Sequence, residues 1–281
     1  MSIPFLKFFK KIQCFFYYYF SLPQLYGSIL TKAYFCIILK KTNLSRKELY
    51  MKTKLFGGLS GNQLKMIALI AMTCDHAGLQ LLPQYEIFRF IGRLAFPIFA
   101  FMIAEGAKYT KNRTKYFLQM FGLGVICQLV YFFAMGSLYQ CILITFSFSV
   151  LLIYTLDHAM KKKNAEAWLF FALAFIATVF LVEALPHLLP ETDYRVDYGI
   201  WGVLSPVLVF AAPKKLHKLL VLCVPLAFLA LIGADYQWMA FFALIPLALY
   251  NGTRGKWRMK NIFYIYYPLH LVVIYGVDLL I

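Results

Sequence analysis

An aspartate and a histidine stand side by side, Asp75 and His76, inside the apolar run Leu64 to Leu82, LKMIALIAMTCDHAGLQLL. The run has membrane length. An ionisable group at mid-bilayer depth costs roughly 2.5 to 3.5 kcal/mol on insertion scales, so two of them together mark a candidate functional site. The alternative is a polar pair that only holds helices together. Lys65 and His76 are eleven residues apart; on a helix that spacing is a rotation of about 20° and a rise of about 16 Å. They form one stripe, from a cation at one end to an imidazole near mid-depth, a layout suited to an extended molecule with an anionic head such as coenzyme A. Asp75 points about 100° away from His76 and needs another partner. Arg93 returns at similar depth on the next run and is the expected one, since a desolvated carboxylate and guanidinium are tolerated chiefly as a pair. Arg89, one turn earlier, reads as a residue that snorkels to the surface.

A second imidazole, His270, sits with Tyr267 in FYIYYPLH, residues 263–270. Asp197 and Tyr198 fall where another apolar run leaves the surface opposite Lys65, placed to meet a substrate there. Glu105 pairs most simply with Lys108, one turn on. The sequence holds no nucleophile elbow, Walker loop, dinucleotide fingerprint or H-E-x-x-H. Six scattered cysteines form no C-x-x-C pair, so neither a disulfide framework nor a metal is expected.

These residues must be positioned by a membrane bundle. The chain is 62% hydrophobic and 14% charged over 281 residues, far more apolar than a soluble domain. Nine apolar runs follow Met51, at about 64–82, 87–107, 116–135, 140–156, 167–184, 197–212, 217–233, 236–250 and 261–280. The expected fold is an all-α, polytopic integral membrane helix bundle with about nine transmembrane helices, forming a single domain over 51–281. Basic residues follow the second, fourth, sixth and eighth runs: Lys108, Lys111, Arg113 and Lys115; Lys161 to Lys163; Lys214, Lys215 and Lys218; Arg254, Lys256, Arg258 and Lys260. The positive-inside rule then puts the Met51 end in the cytoplasm and the C-terminus outside a multi-pass protein of the cell membrane. The formal charge of +16 is accounted for by these loops, with the lipid bilayer rather than nucleic acid as partner. Pro97 and Pro268 lie inside runs, where each frees a carbonyl four residues earlier, those of Arg93 and Tyr264.

Residues 1–50 read differently, being rich in Phe, Tyr and Lys and broken by Pro23 and Gly27. Lys47-Glu48 can be encoded as AAGGAG, a ribosome-binding sequence, with the codons of Leu49 and Tyr50 as spacer before the ATG of Met51. The expectation is an upstream extension or leader; one extra N-terminal helix is the alternative.

The segments NQLKMIALIAMTCDHAG, FRFIGRLAFPIFAFMIAEGAKYTKNRTKYF, VDYGIWGV, LALYNGTRGKW and FYIYYPLHLVVIYG, in this order from Asn62 to the C-terminus, together resemble the TraX family of membrane proteins. The named member of that family N-acetylates a conjugative pilin subunit. More distantly, the first two runs are similar to the wider transmembrane acyltransferases, acyltransferase family 3 and heparan-α-glucosaminide N-acetyltransferase, which use a histidine in an early span. The resemblance implies transfer of an acetyl group from cytosolic acetyl-CoA to an amine or hydroxyl acceptor, with His76 at the position of that histidine and Lys65 at that of an upstream basic residue. A pilin-like protein, a peptide, a lipid or a glycan would each serve as acceptor. Lys111, Arg113 and Lys115 in KYTKNRTK are the candidates for the phosphates of the donor. Chemically, a neutral imidazole suits the removal of a proton from an attacking amine or hydroxyl near pH 7, with a transient acetyl-histidine as the covalent variant. A carrier of a small polar solute with a midplane site at Asp75, Arg93 and His270, or a non-enzymatic scaffold for pilus or envelope assembly, are the other readings.

Overall fold

The computed structural model describes residues 58–233, 235–256 and 260–280. The expectations for residues 1–50 and Met51, like Arg258, lie outside the described residues.

All nine apolar runs are helical. In chain order they are α1 (Gly61–Gln80), α2 (Glu86–Gly92), α3 (Ala95–Tyr109), α4 (Arg113–Met135), α5 (Ile142–Lys162) and α6 (Ala165–Val179). A π-helical turn, Phe180–Ala184, carries α6 into the short α7 (Leu185–Leu188). Then come α8 (Gly199–Ala211), α9 (Lys215–Ile232), a 3-10 helix Asp235–Ala243 running into α10 (Leu244–Ala248), and α11 (Lys260–Asp278). Among the described residues the only extended pairing is two isolated bridges. Five stretches, Glu86–Tyr109, Arg113–Phe133, Ile142–Lys162, Ala165–Leu188 and Lys215–Ile232, are long and apolar enough to cross a membrane. The α8 helix and Tyr236–Ala248 are apolar but shorter.

Local chemistry sets the boundaries. Ser60 opens α1 with a capping box: its side chain accepts from the Gln63 amide while the Gln63 side chain accepts from the Ser60 amide. Asn112 and Asn164 cap α4 and α6 in the simpler way. The second apolar run is broken between Gly92 and Ala95, just ahead of Pro97, whose ring nitrogen cannot donate to the Arg93 carbonyl.

The core is built by α1, α3, α5, α8 and α9, with Leu64, Ala68, Ile98, Phe101, Val150 and Leu222 fully enclosed. By contrast α4 and α6 present Ile126, Phe133, Leu169 and Ile176 outward, an apolar skin suited to lipid tails. Backbone contacts gather the loops into two ends. At one, Leu59 bridges Tyr250 and the Gly61 amide donates to the Thr253 carbonyl at 2.7 Å. At the other, Gln140 bridges Val196, and Asp193 accepts from Ser137 Oγ at 2.6 Å. Helix α11 lies beside α1 in parallel register: Thr73 meets Tyr266, His76 meets His270 and Gln80 meets Asp278.

Candidate functional site

Asp75 is held where α1 crosses α2, and the crossing is close because two glycines permit it. A Cβ on Gly92 would lie 2.3 Å from Asp75 Oδ1, and one on Gly78 would lie 2.6 Å from the Cβ of Phe88. Into that contact α2 and the turn after it deliver two guanidinium groups. Arg93 donates from Nη2 to Asp75 Oδ1, the pairing expected from matched depth. Arg89 does not simply snorkel: its Nη1 lies 3.1 Å from Asp75 Oδ2 and also donates to the Asp75 carbonyl. The snorkelling expectation failed because Arg89 and Arg93, one intact turn apart, share a helix face, and the close approach of α1 puts the Asp75 carboxylate within reach of both.

The 3-10 helix completes this cluster. Gln237, buried, accepts from Arg93 Nη1 through its Oε1 at 3.1 Å. Tyr236 lies under both guanidinium groups, 5.6 Å from Arg89 and 5.5 Å from Arg93 to the ring centroid, at cation–π range. Neither residue was legible as a site residue from sequence; a Tyr-Gln pair at the head of an apolar run gives no local signal.

Gln237 also lines a cleft of 690 Å³, together with Glu183, His187, Arg195, Tyr198 and Trp201. The cleft belongs to the end of the molecule that holds the 189–198 loop. Tyr198 sits in the left-handed region at φ 59° and is followed by Gly199 at φ 55°, a sharp entry to α8 that stacks the Tyr198 ring on Phe96 at 4.1 Å. Asp197 does not join the cleft lining: its carboxylate accepts from the Tyr139 hydroxyl at 2.8 Å. The successive left-handed residues turn these neighbours apart, so only Tyr198 of the two is placed to meet a molecule in the cleft.

His76 projects toward α11 rather than α2. Its ring centroid is 5.1 Å from that of His270, at an interplanar angle of 58°. His270 is buried, stacks on Tyr266 at 5.5 Å, and shares its Nδ1 with the Tyr266 carbonyl at 3.0 Å. The Tyr266 hydroxyl and Thr73 Oγ1, 2.6 Å apart, pin the two helices one turn away. Tyr267 is buried in the cluster that holds Cys141 and Leu271, and meets His270 edge-on at 5.6 Å. Thus Asp75 and His76, adjacent in sequence, serve two different helix contacts.

The other candidate cations are distributed. Lys65 is half-buried on the second turn of α1. Arg113 is held by Asp157 at 2.5 Å and lies 5.0 Å from the Tyr154 ring centroid. Lys111 and Lys115 are exposed, and Lys115 lines a shallow 410 Å³ cleft with Asn112 and Gln119. Glu105 does not pair with Lys108. Its carboxylate is taken by Lys218 of α9, both side chains 8% exposed, with the Tyr250 hydroxyl at 3.5 Å. Lys108 is exposed and lies over the Tyr109 ring instead, so the face of α3 that bears Glu105 looks inward, out of reach of its neighbour one turn on. Among the described residues no group of three or more His, Cys, Asp or Glu side chains is arranged to hold a metal ion.

Comparison with known proteins places this architecture. The chain is 27% identical over 238 residues to the probable fimbrial assembly protein FimC, serogroup H1, of Dichelobacter nodosus, covering 76% of this chain and 94% of that protein. It is 28% identical over 189 residues to an uncharacterized protein of Rickettsia prowazekii (strain Madrid E), covering 67% of this chain and 68% of the other. No solved structure matches. The family model described as "TraX protein" matches residues 60–278, which takes in both histidines, the Asp75 cluster and the cleft, and the chain belongs to the TraX family.

Proposed function

We propose that the protein is an integral membrane acyltransferase that moves an acetyl group from acetyl-CoA on the cytoplasmic side to an amine or hydroxyl acceptor at or beyond the membrane. The observation that carries this reading is His76, an imidazole set within a membrane-length helix and packed on a second imidazole. The acceptor's lone pair forms the new bond to the thioester carbonyl carbon, His76 takes the proton released from that nitrogen or oxygen, and the C–S bond breaks. The thiolate leaves and takes the proton up in turn. Lys65 lies on the same stripe of α1 toward the end that would receive the donor. Since Asp157 already engages Arg113, Lys111 and Lys115 are the more accessible cations for donor phosphates. The cleft at the opposite end, reaching Asp75 through Gln237 and Arg93, would admit the acceptor.

The accompanying topology is nine crossings, with the start at Met51 and the basic loops in the cytoplasm and the C-terminus outside. The parallel run of α1 and α11 agrees with an odd count separating them by whole hairpins. The fimbrial assembly name of the Dichelobacter nodosus relative favours a pilin-like protein as acceptor over a peptide, lipid or glycan. The test is release of free thiol from acetyl-CoA by the purified protein in detergent, joined to intact-mass comparison of envelope proteins with and without the gene. His76→Ala should lower transfer by about 10²- to 10⁴-fold while the protein stays inserted and folded. A carrier of a small polar solute is the second reading, favoured by one carboxylate shared between two guanidinium groups that reach the edge of a cleft through Gln237. Solute-dependent flux without thiol release would select it.

A further inference from the structure

His270 is a buried histidine with one nitrogen satisfied and the other not. A carbonyl oxygen only accepts, so the 3.0 Å contact with Tyr266 assigns the proton of the neutral ring to Nδ1 and leaves a lone pair on Nε2. Nε2 is buried and has no hydrogen-bond partner. Groups so placed are rare, because roughly nine in ten buried polar atoms are paired, and an unpaired one costs free energy that a purely structural histidine has no reason to incur. A phenylalanine or leucine would fill the same space against Tyr266 and Tyr267 without that cost. What Nε2 lacks is a donor, and the ring beside it belongs to His76. Neutral imidazole offers one N–H, whereas the protonated ring offers two. With the centroids 5.1 Å apart and Nδ1 of His270 held by Tyr266, it is rotation about the soft χ2 torsion of His76 that would turn one of its nitrogens toward Nε2.

The geometry points to His270 as the positioning partner of His76: when His76 takes a proton, its new N–H donates to Nε2 of His270, and the two rings hold that one proton between them. The inference rests on the reading that His76 handles a proton, and it adds a second histidine to that task. The charged side chains close enough to act on His76 are Asp75 on its own helix and Arg89 and Arg93 from α2 and the turn after it. These three are committed to one another, and Asp75 points away from the imidazole, so His270 is the neutral acceptor on the His76 side. On α11 the groups against His270 are Tyr266 and Tyr267, the first already engaged with Thr73. The pinning of Tyr266 to Thr73 fixes the register that keeps the rings opposed.

The experiment uses the full chain in lipid nanodiscs with ring-15N-labelled histidine, His76→Ala and His270→Gln supplying the assignments. At neutral pH the nitrogen shifts should show His270 with its proton on Nδ1. On acidification a coupling across a hydrogen bond should join a ring nitrogen of His76 to Nε2 of His270. A proton on Nε2 of His270 at neutral pH, or protonation of His76 with no such coupling, overturns the pairing. Kinetically, His270→Phe should lower kcat for acetyl transfer by roughly 10- to 100-fold, a part of the 10²- to 10⁴-fold that proton transfer contributes, and leave KM for acetyl-CoA unchanged. His270→Gln, which keeps an acceptor oxygen, should recover part of that loss. Coupling in a protein that transfers no acyl group would keep the pair and remove the acyltransferase reading. Transfer that needs His76 yet runs at full rate in His270→Phe would remove the pair and keep that reading.

Discussion

Glu105 and Asp75 are both neutralised by cations from outside their own helix, and they are treated differently. Glu105 meets Lys218 in a sealed contact, each side chain 8% exposed, with the Tyr250 hydroxyl alongside. Asp75, 18% exposed, is shared between Arg89 and Arg93, and Arg93 passes the network on to Gln237 at the edge of a cleft. The first arrangement satisfies its charges and leads nowhere. The second sets two cations against one anion, leaves excess positive charge and reaches the edge of a cleft lined by both polar and apolar side chains. An ionised cluster in a membrane that is both over-supplied with donors and accessible is a candidate binding site. A sealed one-to-one pair fixes the register of α3 on α9.

The largest effect should come from the sealed pair. Glu105→Gln leaves Lys218 as an uncompensated buried charge, and breaking such a pair by removing one partner costs roughly 3 to 5 kcal/mol. Yield and unfolding resistance in detergent should fall sharply, and the double variant Glu105→Gln with Lys218→Met should recover most of the loss, because the stranded charge is gone. If the single variant unfolds like the parent, the contact is not the register device inferred from its burial.

Asp75→Asn should cost less stability, about 1 to 3 kcal/mol, since Tyr236, Gln237 and the cleft remain to accommodate the two guanidinium groups. Its effect on acyl transfer or on solute flux should be the larger one. Equal losses of stability in Asp75→Asn and Glu105→Gln, with function per folded molecule retained in both, would erase the distinction between the two clusters. Gly92→Ala probes the same place sterically. Its Cβ would press on Asp75 at 2.3 Å, and overpacking of this kind costs typically 1 to 3 kcal/mol, so α1 and α2 should separate and Arg93 lose its alignment. Double-mutant analysis with Asp75→Gly, which removes Oδ1, Cγ and Cβ, the three atoms pressed upon, should show the penalty shrinking.

Sequence made one of these clusters legible and hid the other. Depth along a helix can be read from residue count, which is why Asp75 and Arg93 matched and why each apolar run proved helical. The break before Pro97 follows from a missing donor and is equally local. Which helices are neighbours is not local. Glu105 and Lys218 are 113 positions apart, and Lys218 read as one more loop cation. The contact of His76 with His270 depends on α11 lying parallel to α1, a matter of assembly that no periodicity reports. The approach of α1 to α2 rested on Gly78 and Gly92, whose role is the absence of a side chain. Arg89 reads as a residue that snorkels because its partner, Asp75, comes from another helix whose approach is not local.

A third carboxylate extends the series to full exposure and to the smallest effect. Asp193, in the loop between α7 and α8, accepts from Ser137 Oγ at 2.6 Å and from the Leu138 amide at 2.8 Å, tying that loop to the one between α4 and α5. These hydrogen bonds, first that of Ser137 and then that of the Leu138 amide, hold its carboxyl below the ordinary value of 3.8. The sign follows from linkage. A carboxylate whose pKa is lowered in the folded state contributes stability that is present above the unfolded value and is lost as pH falls through the folded one. The tie should therefore be intact throughout the neutral and mildly acidic range and loosen only below pH 3.8. Amide exchange at Leu138, compared at matched pH between the parent and Asp193→Ala, should be slower in the parent at pH 6 and converge as the pH drops below that point. Since both partners face water, global stability should barely change. Convergence already at pH 5 would mean that the hydrogen bonds do not favour the charged form, and protection unchanged at every pH would mean that the Gln140–Val196 bridge and the Tyr139–Asp197 hydrogen bond hold the loops together without Asp193.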